Sequence, residues 1–497
     1  MLEVLVGSPN ATAIKAPGRN SLTYGALRNH IISQNDRFRS LGYSGTDRIA
    51  IVLPNGPEMA TAFLSVANFA IAAPLNPAYR KEEFKFYLSD LGATALLVHE
   101  FSNAAAEAAA AELRIPMIHL QPRRDAAGTF DIHGQPQINE RTKSDAVPAD
   151  ISLILHTSGT TSRPKMVPLS KEKLLLSAKN IASSLRLSDE DCCLNIMPLF
   201  HIHGLVGALL SSLQSGGSIS CTPGFNVFKF TQWARENTPT WFTAVPTMHQ
   251  AIVARVGDND ARDIGKKLRF IRSSSSPMPP RVMQAVERKF GCPLIEAYGM
   301  TEAAHQISSN PLPPATRKAS SVGLSAAVHV GILSLSGVSL EPGTIGEVCI
   351  KGATVLDRYD ASEAINSAAF IDGWFKTGDE GFLDADGYLH LTGRIKEIIN
   401  RGGEKISPRE VDDILIEHPA IEQVCTFAYP HDTLGEEVGV AIVLSEGAIE
   451  TESSIRAFAS ARLADFKVPK KIIFLKELPK GPTGKLQRIG FFKLVDI

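Results

Sequence analysis

Residues 156–170 read HTSGTTSRPKMVPLS. Thr157, Ser158, Gly159, Thr160, Thr161 and Ser162 offer hydroxyls and accessible backbone N–H groups, and Arg163 and Lys165 add positive charge. Donors gathered in a glycine-containing turn form a concavity for an anion, and phosphate is the guest this chemistry suits. The spacing is not GxxxxGK[ST], so the loop is no Walker A site. Set alone, it reads equally as a polar surface turn. Residues 299–305 read GMTEAAH after the strand-like PLIEAY. Thr301 can donate to a phosphate, and Glu302 is a hard oxygen ligand suited to Mg²⁺. Residues 375–381 (FKTGDEG) put Asp379 at a tight turn, where its carboxylate can accept from two ribose hydroxyls or serve the turn alone. Residues 478–488 (LPKGPTGKLQR) present Lys485 from a Gly/Pro-rich loop; a solvated surface lysine is the alternative.

The elements that must position these residues alternate. A strand is expected over 48–53 (RIAIVL), helices over 58–69 and 82–89, and a strand over 93–98 (ATALLV). That alternation predicts an α/β fold with layered, largely parallel sheets. Residues 123–150 are polar with glycines and prolines, and read as a surface excursion. After residue 357 turns become dense (IDGW, TGDEG, DADGY). A helix is expected to start at Ser407, with Pro408 in its first turn and Glu410 completing a capping box. Strands near 424–427 and 439–444 and a helix over 453–463 then complete a compact α+β unit. The expected division is a large N-terminal domain over 1–393, a junction at 394–396 and a small C-terminal domain over 397–497.

Length and composition bound the rest. The 497 residues exceed one core and imply several units. A net charge of −1 recruits neither nucleic acid nor an anionic membrane. The six cysteines form no CxxC pair and no Cys/His metal spacing, so reduced, buried thiols are expected. The first residues make a poor secretory signal, the apolar stretch 61–75 is broken by Pro74 and reads as no membrane span, and the last three are not Ser-Lys-Leu. A cytoplasmic location is the expectation.

Five ordered motifs, TSGTTSRPK, YGMTE, TGD, GRIKEIINRGGEKISPREV and PTGK, resemble the adenylate-forming superfamily of acyl-CoA synthetases, luciferases and peptide-synthetase adenylation domains. The stretches MPLFHIHGL, FTAVPTMHQ, FIRSSSS, MTEAAHQISSNPLP and NRGGEKISP most resemble the oxalate–CoA ligases of plants and fungi. The resemblance implies a large domain with a small mobile one, and a two-step reaction: an acid attacks ATP to give an acyl-adenylate, then coenzyme A displaces AMP. It implies that Thr157, Ser158, Gly159, Thr160, Thr161 and Lys165 hold the β- and γ-phosphates, and that Thr301 contacts the α-phosphate. Glu302 then binds Mg²⁺, Tyr298 flanks adenine, and Asp379 and Arg394 hold the ribose. Lys485 reaches the carboxylate and the α-phosphate, Lys396 is the hinge, and Gly402 and Gly403 lie toward coenzyme A. His201 matches a gate near the thioester channel.

For the acid, the resemblance points to Ser275, His203 and His305. A fatty-acid tunnel would want apolar residues where this chain has His201, His203, Ser273, Ser274, Ser275, Ser276 and His305. Uncompensated burial of such groups costs a few kcal/mol each, by about the scale of a lost hydrogen bond or more. A short, doubly charged acid, oxalate first, suits them. His203 reads equally as a satisfied core histidine, and the serines as a turn beside adenine. No third ligand makes His201 and His203 a metal site. Two alternatives stand beside this reading: a ligase of a specialised pathway for another polycarboxylic, aryl or fatty acid, and a nucleotide-binding protein that has lost catalysis. Met166 departs from the resemblance, since a glycine usually follows the loop lysine.

Overall fold

The computed structural model describes residues 1–99, 103–134, 150–157, 164–479, 486 and 488–495. Among these, two sheets with parallel centres carry the larger part of the chain. One runs in the order Phe130–Gly134, Met117–Pro122, Ala95–His99, Arg48–Val52, Ile71–Pro74, Ile151–Thr157, Lys165–Ser170. Its first and last pairs are antiparallel and the pairs between them parallel. The second runs Leu324–Ser325, His305–Ser309, Leu294–Met300, Phe270–Ser273, Trp241–Ala244, Cys192–Asn195, Ser218–Cys221, Thr12–Lys15, Leu22–Thr23. From Leu294–Met300 to Thr12–Lys15 every pair is parallel.

Parallel strands covered on both faces read as continuous apolar runs. Ile49, Ala50, Ile51 and Val52 are all buried accordingly. Phe270–Ser273 is buried at every position as well, yet it holds Arg272. The helix Pro57–Phe69 starts on a proline, is buried nearly all round, and leads straight into Ile71–Pro74. His203–Leu210 is a buried π-helical segment, a form concentrated at functional sites.

A third sheet, of antiparallel strands, contains His329–Leu333, Gly346–Lys351, Trp374–Leu383, Phe370–Ile371 and Leu389–Arg394. Beyond it, a fourth runs Glu404–Ile406, Ile399–Arg401, Gly435–Leu444, Ile421–His431, with Lys471–Phe474 on Gly435–Leu444. The helices Pro408–Leu415 and Glu452–Ser460 pack there, on apolar residues that all come from beyond residue 398.

Three expectations need correction. Asp379 stands inside the strand Trp374–Leu383, not in a turn. The strand bulges there: Glu347 and Cys349 face Glu380 and Lys376, and Gly378 takes φ +72°. A bulge re-aims a side chain without ending the strand. Ser407 does precede the helix Pro408–Leu415, but it forms no capping bond. Its hydroxyl donates to Thr392 O at 2.5 Å instead, and Glu410 accepts from Lys467 Nζ at 2.6 Å. A tertiary acceptor has displaced the local one. Finally, part of the excursion at 123–150 is core: Phe130 is fully buried, and Phe130–Gly134 pairs with Met117–Pro122.

Gly323 tests the packing around the second sheet. Its φ is +92°, and a Cβ would fall 2.0 Å from Asn310 N and Ser309 C. Gly323→Ala should lower stability by more than about 3 kcal/mol in urea unfolding. Gly18→Ala, also at positive φ but in open space, should cost only about 1 kcal/mol.

Candidate active site

The strand bulge delivers the first group of side chains. Asp379 lies directly opposite Arg394 across the pair of strands, and Arg394 Nε forms an ion pair with its Oδ1 at 2.9 Å. Tyr298, at the end of the buried strand Leu294–Met300, donates its hydroxyl to Asp379 Oδ2. Burial pushes the Tyr298 phenol well up, so it stays a donor. The Asp379 charge holds Arg394 above the ordinary guanidinium value. A carboxylate has about four acceptor sites, so Asp379 keeps room for further donors.

Glu302 follows Thr301 in the short helical turn Thr301–Ala303 that leaves the same strand. Its carboxylate is buried and accepts from Tyr359 Oη at 2.9 Å. Desolvation raises its pKa; that bond, Arg394 and Lys165 pull it down less strongly. Lys165 Nζ sits 4.5 Å from the centre of the Tyr359 ring. Burial, and the nearby charge of Lys396, lower the Lys165 pKa. A buried, under-compensated carboxylate beside lysine and arginine fits a hard cation that completes its shell with phosphate oxygens and water. That is how Mg²⁺ is usually held. Among the described residues no group of three His, Cys, Asp or Glu could hold a metal alone.

A second group lies at the C-terminal ends of the parallel strands. His203 Nδ1 is 3.0 Å from Ser275 Oγ, and its Nε2 is 2.6 Å from Thr243 Oγ1. The ring of His203 stacks on that of His305, with centres 5.0 Å apart. Arg272 Nη1 reaches Nε2 of His203 at 3.4 Å and Nε2 of His305 at 3.2 Å, while Nη2 donates to Gln306 Oε1 at 3.1 Å. Two conformational departures hold the group. Ser275 and His305 take φ of +73° and +106°, costly for residues with a Cβ. Gly207, on the π-helical segment, leaves space: a Cβ there would lie 2.5 Å from His305 Nε2.

The sequence-expected residues therefore fall into two gatherings. Tyr298, Glu302, Asp379, Arg394 and Lys165 form one, with Thr301 and Lys396 beside it. Ser275, His203 and His305 form the other. His201 is half-buried next to Phe200, with ring centres 4.5 Å apart. Gly402 and Gly403 occupy an exposed hairpin turn between Ile399–Arg401 and Glu404–Ile406, and no contact joins them to either gathering. Thr157 and Lys165 face each other across the hairpin that carries the Ser/Thr loop. Ser158, Gly159, Thr160, Thr161 and Lys485 lie outside the described residues.

Sequence reading missed Arg272, Thr243, Gln306 and Gly207. Arg272 had a signal, a lone cation inside the strand-like run FIRS. The others had none, because they matter only through what they face.

Met166 has a structural reason. It pairs with His156 in an antiparallel hairpin, where extended backbone accepts any side chain. Its own side chain packs half-buried on an apolar cluster that includes Tyr79, Tyr87 and Ile154. The Asp360 N–H also donates to its carbonyl at 3.2 Å.

Comparison with known proteins shows the family to which the chain belongs. Residues 3–360 match the family described as AMP-binding enzyme, and residues 410–485 the AMP-binding enzyme C-terminal domain. A probable CoA ligase (CCL9) of Humulus lupulus is 44% identical, over 96% of this chain and 92% of that protein. An oxalate–CoA ligase of Arabidopsis thaliana is 42% identical, over 97% and 95%. The crystal structure of ATP-bound MatB from Rhodopseudomonas palustris superposes with a TM-score of 0.87 at 25% identity, over 99% and 98%.

Met166→Gly removes apolar contact and loosens a strand. It should lower stability by about 1–3 kcal/mol in urea unfolding. The KM for ATP should change less than about threefold, because the backbone keeps its place.

Proposed function

Since this chain belongs to the AMP-binding enzyme family and is an AMP-forming acid–thiol ligase working with ATP, Mg²⁺ and coenzyme A, we propose that the acid it activates is a small dicarboxylate, oxalate foremost. What supports the reading is the second gathering. Arg272, His203, His305, Gln306, Thr243 and Ser275 offer a compact, polar, positively charged end to an acid site. An alkyl chain brings no charge to offset the buried Arg272 guanidinium, whereas a second carboxylate does.

In this reading the first gathering serves the nucleotide. Asp379 accepts from the ribose hydroxyls, steadied by Tyr298 and Arg394. The Ser/Thr loop and Thr301 donate to phosphate oxygens. Glu302 holds Mg²⁺ together with those oxygens; the ion, when bound, withdraws charge from them. Attack by a carboxylate on phosphorus brings like charges together. At an effective dielectric of 20 and a separation near 4 Å, each pair costs about 4 kcal/mol. Lys165, Arg394 and Lys485 offset that repulsion and set an in-line approach.

The domain boundary belongs to the same proposal. The small unit turns about Lys396 between adenylation and thioester formation, exchanging the Lys485 loop for the Gly402–Gly403 hairpin, with His201 near the path of the thiol. Lys396 is exposed, and among the described residues the two units touch by few bonds: Ser407 to Thr392 O, Arg409 Nη1 to Leu391 O at 2.6 Å, and Arg281 Nη1 to the carbonyls of Ile416 and His418 at 3.4 Å. Six free, buried cysteines suit a reducing compartment such as the cytosol. Among the described residues no helix is long and apolar enough to cross a membrane.

An acid screen checks the substrate class. With Mg·ATP and coenzyme A, pyrophosphate release should be fastest with oxalate, followed by malonate and succinate, and about 10²-fold slower with cinnamates and fatty acids. A preference for a monocarboxylate ends the diacid reading; no turnover of any acid favours a protein that only binds nucleotide.

Glu302 gives a pH prediction. Burial raises its pKa in the free protein, and a bound cation lowers it again. Binding of Mg·ATP should therefore release protons, increasingly so as pH falls toward that raised pKa, and affinity should weaken over the same range. Calorimetry in buffers of different ionisation enthalpy reads this. Glu302→Gln should abolish the proton release; an unchanged release removes Glu302 from the cation site.

A further inference from the structure

The guanidinium of Arg272 is fully buried, in the middle of a parallel sheet, with no carboxylate partner among the described residues. Its Nε has no hydrogen-bond partner. Desolvation lowers its pKa to about 10, which leaves it charged at neutral pH. A buried cation without a counter-charge is costly, and fold alone gives no reason to keep one.

Its bonds have a consequence for the two imidazoles. Arginine has only donors. The nitrogen that faces it on each ring must accept, and in both rings that nitrogen is Nε2. Each neutral ring then carries its proton on Nδ1. For His203 the rest of the chain follows. The Thr243 hydroxyl donates to Nε2, and Nδ1–H donates to Ser275 Oγ. Ser275 Oγ, having accepted, turns its own hydrogen away from His203. Ser275 is half-buried, at the edge of the group, with left-handed backbone that fixes its direction.

We propose that Arg272 is a positioning and specificity-determining residue: it fixes His203 and His305 as Nδ1–H tautomers, turns the Ser275 hydroxyl into a donor, and supplies the positive field that holds the distal carboxylate of the acid. This rests on the diacid reading for the identity of the ligand, though not for the tautomers. The field accounts for a buried cation that the protein itself leaves unneutralised. The donor polarity ensures that the anion meets N–H and O–H groups rather than lone pairs.

The charged and titratable groups packed on the pair are few. Arg272 faces both rings from the strand Phe270–Ser273. Cys193, from Cys192–Asn195, lies near Arg272, and burial holds its thiol protonated. His249 reaches Arg272 at its carbonyl, through Nε2 at 3.2 Å, and lies against Phe242.

Two measurements test the proposal on the full chain. In ¹⁵N-histidine-labelled protein, assigned with His203→Gln and His305→Gln, both rings should give the Nδ1–H signature without any acid present. Protonation at Nε2 in either ring overturns the proposal. In kinetics, Arg272→Met should raise the KM for the diacid about 30-fold or more and leave the KM for ATP within about threefold. Without the cation beside them the rings take up a proton more readily, so going from pH 8 to pH 6 should recover part of the lost affinity in the variant and none in the wild type. Arg272→Lys, which keeps the charge, should lie within about tenfold of wild type. Equal losses for acid and ATP, or no recovery at low pH, mean that Arg272 only supports the fold. If Arg272→Met does not fold, the wild-type tautomers and the lysine variant still decide. A wild type that takes only monocarboxylates while showing the expected tautomers ends the diacid reading and leaves the tautomer assignment standing.

Discussion

Ionised groups are seldom left inside a protein without a partner of opposite charge, because desolvation costs several kcal/mol per ion. Glu302 and Arg272 are two such groups in the candidate site. Glu302 is buried with a phenol for its bonding partner, and Arg272 is buried with imidazoles and an amide for its own. They are opposite in sign and stand in separate gatherings, so they do not neutralise each other. Several local irregularities lie near these two charges: the bulge at Gly378, the positive φ of Ser275 and His305, and the π-helical segment that brings Gly207 up to an imidazole.

In the proposed reading each charge is matched to a ligand of the reaction. Glu302 with Lys165 and Arg394 nearby suits a cation wrapped in phosphate oxygens. Arg272 suits an anion small enough to enter a cluster of short donors. The protein bears the desolvation cost in the free state and recovers it on binding, which is the physical content of preorganisation. The same logic favours a dicarboxylate over a fatty acid, because only the former brings the missing charge.

The parallel sheets make such burial possible. Strand ends point together at one edge of the sheet, so side chains far apart in sequence converge there. Thr243 and Arg272 come from neighbouring strands, His305 from the strand beyond Leu294–Met300, and His203 from the segment that packs over them. Rigid strands hold the acid-side group, whereas the unit beyond residue 398 has its own apolar core and few bonds to the rest. That difference in attachment separates the groups that must stay still from those proposed to exchange.

Much was legible from sequence alone, for reasons of locality. Apolar runs such as RIAIVL and ATALLV predicted strands because burial on both faces leaves a continuous pattern. Helix 57–69 was visible for the same reason. The nucleotide-side residues were readable because each sits in a short motif whose backbone chemistry is local, as in GMTEAAH and TGDEG. Tertiary structure decided the rest. Ser407 gave up its helix cap for the carbonyl of Thr392, and Asp379 proved to be in a bulged strand, because partners distant in sequence outcompeted local ones. Met166 became intelligible only through its packing on the buried cluster that includes Ile154. The role of Arg272 could not be read from FIRSSSS, since a charge acquires meaning from its surroundings. Sequence determined which residues can bind phosphate, cation and acid. Folding alone decided which of them meet, which proton each imidazole carries, and which charge is left for a ligand to neutralise, because those depend on distances that no local pattern encodes.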